Sequence, residues 1–175
     1  MDRRAQLDAI AAIQARQMGL ITADQARAKG VASDVLHQEV RVGRLRRVRT
    51  GVFAVVGAPI SYQQELLGAV LAAGGADGLA AASHATAAYE FCLPLPSRDR
   101  PAFEVTTPLD RKPVIRGVRL HRSGHLTARD ITRVGAIPVT TASRTIVDLS
   151  MRLDRGALGS ALDEGLRRRV LTLGQ

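Results

Sequence analysis

Apolar residues recur along the first third of the chain with two different periods. Leu7, Ile10, Ala11, Gln14 and Met18 fall at helical spacing, with Ile13 widening the stripe, and predict a helix over residues 3 to 18. A second, shorter helix is expected in TADQARAKG, where Thr22 is a natural N-cap and Gly30 a stop signal. Ser33 then stands where it can cap a third helix, DVLHQEVRV, closed by Gly43. This helix has two unlike sides. Val35, Leu36, Val40 and Val42 can pack inward, whereas Asp34, His37, Gln38 and Arg41 recur at i, i+3, i+4 and i+7 on the other side. The period then changes. RLRRVR and GVFAVV are short extended runs joined through Thr50-Gly51, the pattern of a β-hairpin.

From Ala58 onward the pattern is mixed. Ser61 or Tyr62 opens a helix with Leu66, Leu67, Val70 and Leu71 on its apolar face, and a short helix is expected from His84 to Phe91. PLPSRDRP reads as a loop. AFEVTTP and GVRLHRSG read as strands, and ITRVGAIPVTT as a strand pair around Gly135. Thr140 or Thr141 caps the helix of TTASRTIVDLSMRL, and LDRGALGSALDEGLRRRVL forms another. The expected fold class is therefore α+β, with residues 1–57 as one domain and a mixed α/β domain over 58–175.

Helix, helix, short turn, helix, hairpin is the order of a winged helix-turn-helix. In that arrangement the third helix offers polar side chains to base edges in the major groove. Charge strengthens the reading. Residues 41 to 49 hold five arginines, with no acidic residue between Glu39 and Glu65, and the hairpin that carries them would run beside the sugar–phosphate backbone. The net charge of +9 is unevenly spread: residues 1–57 hold 10 basic and 5 acidic side chains, the longer remainder 15 and 11. Lys29 and Lys112 are the only lysines, and arginine suits bidentate contact with phosphate or guanine. Aromatic residues make up only 3% of the chain, too few for a surface that stacks unpaired bases, so double-stranded DNA is the expected partner. The N-terminus has no signal-peptide pattern and no apolar run is long enough to span a membrane, which with the single Cys92 points to a reducing, cytoplasmic setting without disulfides.

Catalytic chemistry is not expected. The chain lacks a P-loop, a G-x-S-x-G elbow and a dinucleotide loop after a strand, so no cofactor is implied. His121 and His125 are four residues apart, but in a strand running into a loop that spacing does not converge on a metal ion. His84, in SHAT, reads as a capping or buried structural residue. Glu104, Asp110 and Lys112 include the residue types of a metal nuclease without a spacing that fits one. Asp148, flanked by Ile146, Val147 and Leu149, is expected to be partly buried and paired with an arginine such as Arg122 or Arg144, the latter one helical turn away.

The succession GLITADQARAKGV, GRLRRVRTGVFAV, ASHATAAYEF, GVRLHRS, IPVTTASRTIVDL and ALDEGLRRRVLT, from about Met18 to Thr172, resembles the AbiEi-type antitoxins of type IV toxin–antitoxin systems. The resemblance implies an N-terminal winged helix-turn-helix followed by a mixed α/β antitoxin domain. It also implies a repressor of its own operon that acts on promoter repeats, and a functionally paired nucleotidyltransferase-like toxin. Its DNA-reading positions fall on Ser33, His37, Gln38 and Arg41, and its backbone contacts on Arg44, Arg46, Arg47 and Arg49. The signature of its antitoxin domain falls on Thr140, Thr141, Arg144 and Asp148. Repeated operator sites imply two copies on DNA, as a homodimer or as cooperative monomers. The same two-part module is also similar to the front half of longer proteins that end in a Vsr-like nuclease domain. A DNA-targeting module without its nuclease is the alternative expectation.

Overall fold

The computed structural model describes residues 3–76, 78–97, 99–110 and 113–172, with the backbone alone for Arg3. The chain forms an α+β fold that divides into two compact units, Met1–Gly78 and Leu79–Gln175.

The first unit begins with α1 (Arg3–Arg16), followed by β1 (Leu20–Thr22), α2 (Ala23–Ala28), α3 (Ser33–Arg41), β2 (Leu45–Arg49), β3 (Val52–Val55) and α4 (Tyr62–Ala72). Thr22 closes a capping box on α2: its hydroxyl accepts from Gln25 N at 3.0 Å and Gln25 Oε1 accepts from Thr22 N at 3.0 Å. The N-cap of α3 is Ala32, without a side-chain bond, so Ser33 is the first helical residue rather than the cap. Its hydroxyl is thereby left on the outer surface of the first turn. β1, β3 and β2 form an antiparallel sheet in that order. The β2–β3 hairpin turns at Thr50-Gly51, where Gly51 takes φ +70°, a conformation costly for a residue with a Cβ.

One layer of core lies between this sheet and the first three helices, built on Ile10, Ile21, Ala26, Val31, Leu36, Leu45 and Phe53. The sheet's other face is covered by α4. Gly68 allows the close approach: a Cβ there would stand 3.2 Å from Val48 Cγ1. Gln64, only 1% exposed, ties the layers together. It donates to Met18 O at 2.7 Å and accepts from Arg46 Nη2 at 2.6 Å. The first unit therefore runs beyond residue 57 and includes α4.

The second unit contains β4 (Ala81–Ala82), α5 (His84–Glu90), β5 (Phe103–Pro108), β6 (Val118–Ser123), a 3-10 turn at Ala128–Asp130, β7 (Ile131–Val134), β8 (Ile137–Thr140), α6 (Ala142–Ser150) and α7 (Arg155–Arg167). Its sheet is mixed, in the order β6-β5-β4-β8-β7. β4 runs parallel to β8 and antiparallel to β5; β5 and β6 are parallel, and β7–β8 is an antiparallel hairpin. The helical core gathers Ala88, Leu93, Ala142, Ile146, Leu149, Ala161 and Leu171. Among the described residues, no helix is long and apolar enough to cross a membrane.

Candidate functional site

The two sides of α3 meet different surroundings. Leu36 and Glu39 are buried, at 1% and 8% exposure, while Ser33, Asp34, His37, Gln38 and Arg41 are exposed. The predicted reading residues thus share one solvent-facing side, beside a groove of about 690 Å³ that Gln6 and Leu7 of α1 also line. Phe53 supports the centre of this side from β3, with the His37 ring edge-on to it at 6.2 Å. Arg47, the cross-strand neighbour of Phe53, lies over the same ring at 5.9 Å and reaches His37 Nε2 at 3.4 Å. A guanidinium only donates, so this bond assigns the lone pair to His37 Nε2 and leaves Nδ1–H as a donor.

The four arginines expected along the phosphate backbone do not share a face. Arg44, exposed at the turn between α3 and β2, pairs with the buried Glu39 at 3.3 Å. Arg47 lies with α3. Arg46 points the opposite way, to Gln64 of α4, as the two-residue period of a strand requires of adjacent positions. Strict alternation would return Arg49 to the side of Leu45 and Arg47. A bulge between Arg47 and Arg49 interrupts it, and Arg49 is half-buried near Glu65 of α4. Burial lowers the pKa of Arg49, with Glu65 opposing the shift.

In the second unit, Thr141 is the N-cap of α6, accepting from Arg144 N at 3.3 Å. The buried Thr140 shares a 2.8 Å bond with Thr145. Arg144 Nε donates to Asp148 Oδ1 at 2.8 Å, the pairing expected from their spacing, and Arg144 also reaches Ser123 at 3.3 Å and Asp130 at 3.8 Å. Arg144 and Asp148 line a cavity of about 540 Å³ with His84, Thr106, His121 and Ser123.

His84 and His121 of this cavity gather with a third residue, Glu104, that the sequence does not connect to them. β5 carries Glu104, which is 4% exposed, and β6 carries His121 two positions along the register. His121 Nε2 lies 2.7 Å from Glu104 Oε2, to which Arg152 Nη1 also donates at 2.6 Å. His84, at the start of α5, stacks on His121 with ring centroids 3.7 Å apart. Burial alone would push the Glu104 carboxyl up, but the bonds from His121 and Arg152 prevail and hold it below its usual range. Burial, reinforced by the neighbouring His121, holds His84 below the usual imidazole range. His125 is exposed and Asp110 lies in an exposed turn, both apart from this cluster, and Lys112 lies outside the described residues. The signal that unites His84 with His121 is strand order, which periodicity does not carry.

No protein-family model matches the chain, and no curated protein matches it in sequence. Among solved structures it is similar to the Rv2827c protein from Mycobacterium tuberculosis, at 15% sequence identity and a TM-score of 0.49 over 84% of this chain. The chain spans 60% of the length of that protein.

Proposed function

We propose that the first unit is a winged helix-turn-helix that binds double-stranded DNA, and that the chain is an antitoxin of the AbiEi type that represses its own operon. The observation that carries the DNA-binding part is the exposed side of α3, where Ser33, His37, Gln38 and Arg41 stand together against a packed opposite side. In this reading α3 enters the major groove. Gln38 suits the paired donor and acceptor of adenine, while His37 Nδ1–H and Arg41 suit the acceptors of guanine. Arg44 and Arg47 flank the helix and contact phosphate. Arg46 and Arg49 hold the sheet to α4 and take no part in the contact.

The autorepressor and antitoxin roles rest on the order of motifs along the sequence, and the second unit supplies the antitoxin function. The test is binding of the whole protein to DNA from upstream of its own gene, beside a scrambled duplex of equal length. A preference of roughly a hundredfold or more is expected, since specific binding typically exceeds non-specific binding by about a thousandfold or more. Equal affinity for both duplexes would remove the operator-specific repressor from the reading. Absence of binding to either would remove the DNA-binding module itself.

A further inference from the structure

The cavity of the second unit has a composition that DNA binding by α3 does not use. We propose that it is a binding site for a divalent transition-metal ion, ligated by His84, His121 and Glu104. One ring nitrogen of each histidine and one oxygen of Glu104 lie within 4.8 Å of one another. The His84 imidazole is anchored through one nitrogen. His84 Nδ1 lies 3.0 Å from Ser83 Oγ, which accepts from Thr106 Oγ1 at 2.7 Å. Metal-binding histidines are held in this way, because an outer partner fixes the ring and the tautomer and directs the other nitrogen to the ion. His121 Nε2 and Glu104 Oε2 lie 2.7 Å apart, and an ion held by both takes the place of the bond between them, while Arg152 keeps its bond to Glu104 Oε2.

A second observation points to a cation. Asp148 is 9% exposed and lines the same cavity; Arg144 satisfies its Oδ1, but its buried Oδ2 accepts no hydrogen bond. A buried carboxylate oxygen without a donor is unfavourable, and positive charge in the cavity relieves it. The donor set selects the ion. Two imidazoles with carboxylate oxygens and no thiolate suit zinc, cobalt, nickel, manganese or iron, whereas calcium and magnesium take all-oxygen sets. Coordination opens the histidine stack. Rings that lie face to face, 18° from parallel, aim their in-plane lone pairs side by side, so one imidazole turns about its Cβ–Cγ bond to converge on the ion.

The test uses the full-length protein, stripped with a chelator and dialysed against zinc chloride, with bound zinc counted and the histidine side-chain resonances followed by NMR. One zinc ion per chain is expected, with the His84 and His121 signals moving and those of the exposed His37 and His125 unmoved. His84→Asn and His121→Asn should each lower zinc affinity by roughly tenfold or more, and His125→Asn should leave it unchanged. Absence of retained zinc in the wild-type protein overturns the site. So does zinc that moves the His37 or His125 signals in place of His84 and His121. The wild-type NMR titration gives its answer even if a variant fails to fold, and no part of the test depends on DNA binding.

Discussion

Arg46 and Arg47 are adjacent in sequence and serve opposite faces of the same strand. Arg47 stands beside His37 on the proposed DNA side, and Arg46 bonds to Gln64 inside the first unit. Their substitutions should therefore part company. Arg47→Ala is expected to weaken binding to every duplex about equally and to reduce the salt slope by about 1, as loss of a phosphate contact does. Arg46→Ala should chiefly lower the melting temperature, because it strips a donor from a buried amide. Gln38→Ala should instead cost about 1–3 kcal/mol of discrimination between operator and scrambled DNA; competition binding measures the difference, and unchanged discrimination would dismiss Gln38 as a base reader. In the second unit, burial pushes the carboxyl of Glu90 up, and its Oε1 is buried without a hydrogen-bond partner at the C-terminal end of α5. A carboxyl raised in the folded state favours folding only while protonated, so this contribution is lost as pH rises from the model-peptide value of 4.5 through the folded value. Glu90→Gln should accordingly raise the melting temperature at neutral pH, and the gain should vanish in acid. A variant that melts no higher at neutral pH would show that the charge is already well accommodated.

Most helices announce themselves at the level of elements, because their caps and apolar spacing are local. Thr22, Ser61 and Thr141 all cap the helices their positions suggest. The β2–β3 and β7–β8 hairpins are equally legible, each marked by a glycine between two short extended runs. β1 and β4, three and two residues long, are too short to leave a period and are strands only by virtue of their partners. The bulge that turns Arg49 away from Arg47 is hidden for a related reason: an inserted residue is defined by what lies opposite it, not by its own identity. The metal-type cluster was illegible because His84, Glu104 and His121 come from three separate elements. The Arg144–Asp148 pair, one turn apart on one helix, could be foreseen. Gly68 is the element-scale test of how α4 seats on the sheet. Gly68→Val would drive its side chain into Val48, and overpacking of this kind costs about 1–3 kcal/mol. Chemical denaturation measures the loss, and an unchanged midpoint would show that α4 can shift without penalty.

Across the whole molecule, the sorting of arginines between surface and interior changes how affinity should respond to salt. Five arginines between residues 41 and 49 would suggest a steep dependence. With Arg46 and Arg49 turned to α4, Arg41, Arg44 and Arg47 remain on or beside the exposed side of α3. With Arg41 assigned to a base edge, the phosphate contacts of Arg44 and Arg47 give a log–log slope of about −2 for each chain bound. A slope of roughly −4 for a singly bound chain would return Arg46 and Arg49 to the interface. The covering of the sheet by α4 also governs where the gene can be divided. Expression of residues 1–57 alone would strip the lid from Leu20, Val48 and Val52, and deprive Arg46 of its amide partner. Such a fragment is expected to aggregate, since a bare apolar sheet face seeks another copy. A fragment ending at Gly78 keeps the lid, and it is the piece to express when the proposed DNA-binding unit is studied alone.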